Sequence, residues 1–192
     1  AVFKADFGRG GYSNPCPPDG PAPVPKTGQT TTYATGDDGD LEKGVPWPNP
    51  RFTDNGDGTV TDNLTGLIWL KNANCFGLRN WNNALSDCNG LSCGSCGLTD
   101  GSSSGDWRLP HKRELISITH DECYNPAVPN TTGAGCWSEG DPFNNVSFNN
   151  YWSSTTNALS MDDAWYVYMV FGSVDYYTKG YPYYVWHVRG GH

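Results

Sequence analysis

The sequence predicts an α+β domain, with small twisted antiparallel sheets, two helices and many loops. Three observations carry this. Glycine occurs 24 times and proline 14 times in 192 residues, which means many turns and little helix. Two stretches place apolar residues at helical spacing. The tail, from Tyr151 onward, instead alternates with a period of two and holds eight of the 11 tyrosines and three of the eight tryptophans.

Taken in order, Ala1-Val-Phe-Lys-Ala-Asp-Phe7 alternates and reads as a short strand, with Val2, Phe3 and Phe7 as candidate assembly residues. Six of the 11 residues from Pro15 to Pro25 are proline, a semi-rigid polyproline arm. Such an arm suits either a spacer or a strand added to a neighbouring subunit. The chain thus divides into an arm, residues 1–25, and a domain, residues 26–192. Gly36-Asp-Asp-Gly-Asp40 is acidic and loop-like. Arg51 to Asp62 reads as a hairpin turning at Asn55-Gly-Asp-Gly58, residues that tolerate positive φ. Its carboxylates Asp54, Asp57 and Asp62 are the candidate calcium ligands. The bidentate Glu of an EF-hand loop is missing, position 65 being Thr, so the turn reading leads and calcium stands as the alternative.

Leu67-Ile-Trp-Leu70 reads as a buried strand. Trp81, Ala84, Leu85 and Cys88 fall at i, i+3, i+4 and i+7, the apolar stripe of a helix ending near Gly90. A second helix runs from His111 to about Thr119, with Pro110 at its first turn and Leu115 and Ile118 facing inward. The loop-rich stretch Asp121 to Asn150 follows. In the tail, Trp165, Val167 and Met169 share one strand face, and Tyr166, Tyr168 and Val170 the other. Phe171-Gly-Ser173 is a turn, Val174 to Tyr184 a tyrosine-rich return, and Val185 to Val188 a closing strand.

Composition excludes several function classes. A net charge of −8 with only 12 Lys and Arg argues against a nucleic-acid partner. No apolar run is long enough to span a membrane. Seven cysteines in a loop-rich chain point to an oxidising, extracellular setting. Cys75, Cys88, Cys93, Cys96, Cys123 and Cys136 are the candidate disulfide cysteines, with Cys123–Cys136 the first expected pair and Cys16 the odd one out. A zinc site from Cys75, Cys88, Cys93 and Cys96 is the rival, but the gaps around Cys88 do not follow a paired metal-knuckle pattern.

Five separated motifs resemble the Legionella collagen-like protein C-terminal domain family, in that family's order. They are Phe52-Thr-Asp-Asn-Gly-Asp-Gly-Thr-Val-Thr-Asp-Asn-Leu-Thr-Gly-Leu-Ile-Trp69, Cys96-Gly-Leu-Thr-Asp-Gly-Ser102, Gly105-Asp-Trp-Arg-Leu-Pro110, Tyr151-Trp-Ser-Ser-Thr-Thr156 and Val185-Trp-His-Val-Arg-Gly-Gly191. The resemblance runs from about Lys26 to the end. It implies a C-type-lectin-like fold, two helices flanking small antiparallel sheets, in a bacterial, exported, ligand-binding, non-catalytic domain at a cell surface. Some members bind sulphated polysaccharide. Others resemble the variable proteins of diversity-generating retroelements, in which Asn codons of the terminal strands are rewritten. Here Asn occurs at 144, 145, 149, 150 and 157 and not thereafter. The chain departs from the family at Phe171, where a carboxylate or Asn is common, and at His187, where Pro is common. Lys179 and Arg189, beside Asp162, Asp163 and Asp175, are too few for an anionic-sugar site.

No catalytic set emerges. Ser153 and Ser154 lack a nucleophile elbow, and His120-Asp-Glu122 are contiguous, which rarely lets ligands converge on a metal. The formylglycine-generating branch of this fold needs a cysteine pair near the C-terminus, and no Cys follows Cys136. The leading reading is therefore a secreted or cell-surface adhesion domain. Its glycan- or protein-binding face comprises Tyr166, Tyr168, Val170, Phe171, Ser173, Asp175, Tyr176, Tyr177, Lys179, Tyr181 and Tyr183, because tyrosine combines a rigid contact area with a polar tip. The second reading is a subunit of a homo-oligomer or extracellular filament, joined through the arm.

Overall fold

A computed structural model describes residues 24–190. Val2, Phe3, Phe7, Cys16 and most of the 1–25 arm lie outside the described residues, as does His192. The elements are α1 (Asp38–Leu41), β1 (Phe52–Asp54), β2 (Thr59–Asp62), β3 (Ile68–Leu70), α2 (Trp81–Gly90), α3 (Lys112–Ser117), β4 (Asn150–Asn157), β5 (Ser160–Tyr168), β6 (Ser173–Thr178) and β7 (Val188–Arg189). They form an α+β fold with two small antiparallel sheets, ordered β1-β2-β3-β7 and β4-β5-β6. This is the arrangement expected of a C-type-lectin-like domain.

The β1–β2 hairpin turns where Gly56 and Gly58 take positive φ, and a Cβ on Gly58 would sit 2.4 Å from the Gly97 carbonyl oxygen. Asn80 caps α2 by accepting from the Asn83 N–H. α3 opens on a reciprocal cap. His111 accepts from the Glu114 N–H and Glu114 accepts from the His111 N–H. It is shorter than the sequence suggests, and Pro110 precedes the cap instead of entering the first turn. Ile118 leaves the helix, and the Thr119 hydroxyl bonds back to the Ile116 carbonyl at 2.8 Å. The extra helix α1 forms in the acidic stretch because the Asp37 carboxylate accepts from the Asp40 N–H at 2.9 Å.

The closing strand starts later than its apolar run implies. Trp186 and His187 are buried ahead of β7, and β7 joins β3, with Val188 opposite Trp69. The tail therefore contributes to both sheets. The main core lies between them, built from Phe52, Trp69, Leu115, Phe143, Tyr151, Val167 and Trp186. Trp186 meets Trp69 at 5.6 Å and Phe143 at 4.8 Å, both edge-to-face. Its indole N–H donates to the Leu70 carbonyl at 2.9 Å.

The disulfides are Cys123–Cys136, as expected, and Cys75–Cys96. Cys88 and Cys93 are corrected: neither is in a disulfide among the described residues. Cys88 faces inward from α2 onto Trp152 and Leu109, out of reach of the loop, and burial pushes its thiol pKa up. Cys93 sits exposed in the loop. With Cys75 bonded to Cys96, the four-cysteine zinc reading is also closed.

Candidate recognition face

The register of β4-β5-β6 sorts the tail's aromatics onto two faces. Tyr151 pairs with Val167 and Val167 with Val174, while Trp165 pairs with Tyr176. Directly paired residues point the same way, so these form one face, and Tyr151 and Val167 belong to the main core. On the other face Asn150 pairs with Tyr168 and Tyr168 with Ser173. Trp152 pairs with Tyr166 and Tyr166 with Asp175, and Ala164 pairs with Tyr177.

This second face is only half covered. α2 packs on Trp152 and Ala164 through Ala84 and Cys88. The remainder meets the segment after β6. There Tyr183 is locked by paired backbone bonds with Arg79, 2.8 and 3.0 Å. Its ring lies 4.6 Å from Trp152 and 4.8 Å from Tyr166. Tyr181 stands edge-on to Tyr177 and Tyr183, at 5.2 Å from each. The result is a depression of about 370 Å³ walled by Tyr177, Tyr181, Tyr183 and Leu78, with the amides of Asn149 and Asn150 in its lining. Tyr177 is 47% exposed and Tyr181 49%. The Asn150 Oδ1 is buried there without a hydrogen-bond partner.

Burial shapes the hydroxyls. The Tyr183 phenol is pushed up to about 12, chiefly by desolvation. Tyr166 is also raised, by burial and then by the Asp175 carboxylate. Both remain neutral hydroxyls at physiological pH.

The predicted contact residues are thus partly brought together. Tyr166, Tyr168, Ser173, Asp175 and Tyr177 share a face, and the loop adds Tyr181 and Tyr183. Tyr176 lies on the opposite face, 5.3 Å from Trp165. Phe171 is 66% exposed at the turn, edge-on to Tyr168 at 5.8 Å. Val170 is half-buried, its carbonyl accepting from the Asn125 N–H. Lys179 is occupied: its ammonium donates to the Met161 carbonyl at 2.7 Å and lies 4.2 Å from the centre of the Trp81 ring. Arg189 pairs with the buried Asp100 at 2.7 Å. Leu78, Asn149, Asn150 and Pro182 complete the depression, and only tertiary pairing, not periodicity, places Leu78 there.

The three candidate calcium ligands, Asp54, Asp57 and Asp62, do not converge. Asp62 is fully buried and held bidentately by Arg51, at 2.8 and 3.1 Å. Asp57 accepts from the Thr59 N–H and hydroxyl. Asp54 pairs with Lys71 at 2.6 Å. Each carboxylate has its own partner, and no group of three or more such ligands converges among the described residues. His120 is likewise structural, its Nδ1 accepting from the Glu122 N–H.

Residues of the quoted motifs brace the domain around this face. Trp69 and Trp186 form the core, Arg108 grips Glu114 through two bonds of 2.7 and 2.6 Å, and the Ser153 hydroxyl pins the Trp165 carbonyl at 2.7 Å. The family model for the Lcl C-terminal domain matches residues 58–189. The chain belongs to the Lcl C-terminal domain family. The match leaves out residues 26–57, which the motif resemblance includes, although that segment packs on the domain. Comparison with curated proteins finds no match. No helix among the described residues is long and apolar enough to cross a membrane. The two disulfides are compatible with an extracellular protein.

Proposed function

We propose that this Lcl C-terminal domain is an exported, non-catalytic recognition module of the bacterial surface. Its tyrosine-walled depression takes a neutral glycan or a protein loop. The observation that carries the reading is the open part of the second face, where Tyr177 and Tyr181 stand half-exposed over two asparagine amides. Aromatic faces stack on the apolar faces of sugar rings, and amides supply the few directional bonds that fix orientation. The cations beside the depression are engaged, Lys179 with the Met161 carbonyl and Arg79 with Asp87, so an anionic sugar is disfavoured. Affinity at one such shallow site is modest and gains from repeated display.

The test is binding of the full chain to arrayed neutral oligosaccharides and proteins, followed by titration. Tyr177→Ala and Tyr181→Ala should each weaken the strongest interaction about tenfold, the equivalent of roughly 1.4 kcal/mol. Tyr176→Ala, on the opposite face, should leave it unchanged. Equal losses from all three would place binding elsewhere. A second reading, a subunit of an extracellular homopolymer joined through the arm, is favoured by the alternating apolar segment Ala1–Phe7 and the proline-rich stretch behind it.

A further inference from the structure

A groove of about 500 Å³ lies between the outer side of α3 and the first described residues. Val24, Pro25, Trp47, Leu64 and Ile116 give it apolar walls, and Arg113 and Asp121 add one charge of each sign. The wall formed by Val24–Thr27 is held in place. The Val45 N–H donates to the Val24 carbonyl at 2.8 Å, and the Lys26 N–H returns to the Val45 carbonyl at 3.0 Å. The Trp47 indole donates to the Lys26 carbonyl at 2.8 Å, and the Asp121 N–H to the Thr27 carbonyl at 3.2 Å. The groove is therefore preformed, yet Val24 is 61% exposed and Ile116 is only half-buried.

We propose that this groove receives residues 1–7 of a second copy of the chain, so that copies join head to tail. The inference rests on the filament reading above and supplies its receptor. The occupant is argued from the sequence that precedes Val24. Ala1–Phe7 alternates, so Phe3, Ala5 and Phe7 present one apolar edge while Lys4 and Asp6 fall on the other. The intervening residues 8–23 carry five prolines, Pro25 itself lying in the groove wall. Proline-rich sequence favours an extended spacer over a tight return, so a neighbour's groove is a better fit than the segment's own. The free edge of β6 is a poorer receptor: the Tyr176 N–H on it is already bonded by the Asp175 carboxylate at 2.8 Å, which interrupts the ladder an added strand would need. A contact between two different surfaces does not close on itself and propagates as a filament.

The experiment uses full-length chains, followed by sedimentation and negative-stain imaging. Ile116→Glu spoils the groove and keeps the segment. Phe3→Glu with Phe7→Glu spoils the segment and keeps the groove. Wild type should polymerise and each variant alone should stay monomeric, with at least a tenfold loss of assembly. An equal mixture of the two should give dimers that grow no further, because one functional joint remains. Val24→Glu, at an exposed site, repeats the groove test without touching the core. If both groove variants polymerise like wild type while the segment variant does not, the groove is wrong and the arm reading survives. If wild type is monomeric, or the segment variant polymerises, both fail. A mixture that stays monomeric overturns docking between copies.

Discussion

The two faces of the β4-β5-β6 sheet are built from the same kinds of residue and end in opposite states. One carries Tyr151 and Val167 and is sealed there by Trp186, whose ring lies 5.6 Å from that of Tyr151, and only its outer end, Trp165 with the 43%-exposed Tyr176, reaches the surface. The other carries Tyr166 and Tyr177 and is sealed only over Trp152 and Ala164. What separates them is the covering element, since aromatic content does not differ. The sealed face receives the tail as it crosses to the other sheet. The second receives α2 on one side and a short loop on the other, too small to cover four tyrosines. An aromatic side chain left at the edge of its cover still makes ring contacts, but keeps a surface for a ligand.

The same deletion on the two faces should break this comparison most clearly. Tyr151→Ala removes a fully buried ring and leaves the Ser147 N–H, now bonded to the Tyr151 hydroxyl at 2.7 Å, without its partner. The expected loss is about 3–5 kcal/mol, read as a fall in denaturant midpoint. Tyr177→Ala should cost about 0.5 kcal/mol or less, as a surface change does. Comparable losses would mean that Tyr177 is core and that the depression is packing.

Titration sharpens the contrast. His187 is buried with neither ring nitrogen hydrogen-bonded, against Phe76 at 5.0 Å. Desolvation lowers its pKa from 6.5 to about 3. Its folded pKa is depressed, so the neutral ring's contribution is complete above pH 6.5 and is lost as pH falls toward 3. The loss runs at up to about 1.4 kcal/mol per pH unit. His187→Phe should remove one proton's worth of that slope in acid unfolding curves. Tyr183 behaves in the opposite sense. Its folded pKa is raised from 10 to about 12, so its contribution is present below pH 10 and fades as pH rises through 12. Tyr183→Phe should flatten the alkaline limb by one proton, and an unchanged limb would mean that the hydroxyl is open to water.

What is legible in the sequence depends on the range of the interaction that fixes it. The α2 stripe, the glycine turn at Asn55–Gly58 and the alternation in β5 are local, and each was legible because its cause lies within a few residues. The Cys123–Cys136 pair was legible because the two are neighbours in a loop with no competing cysteine. The inward turn of Cys88 is visible in the same helical stripe that places α2, and the packing of that stripe outweighs its proximity in sequence to Cys93 and Cys96. The assignment of Asp62 was not legible, since the hairpin that resembles an acidic loop also contains Arg51, whose guanidinium neutralises it from 11 positions away. The assignment of Tyr176 to the other face follows from parity within β6, but only once its register with β5 is known. Leu78 enters the depression through the Arg79–Tyr183 bridge, a contact that nothing local encodes.

The smallest expected effect tests how far the open face extends. Phe171 is exposed at the β5–β6 turn and touches only Tyr168 among the aromatic rings of the described residues. Phe171→Ser should change stability by less than about 0.5 kcal/mol. Its consequence for binding depends on ligand size, since the turn lies at the end of the strand pair away from Tyr181. A compact ligand held between Tyr177 and Tyr181 should bind Phe171→Ser as it binds wild type. A ligand that runs along the face should lose affinity about as much as with Tyr177→Ala. Binding isotherms of the two variants against the same ligand therefore measure the length of the recognition face, and an increase in affinity for Phe171→Ser would show that the exposed ring obstructs the site.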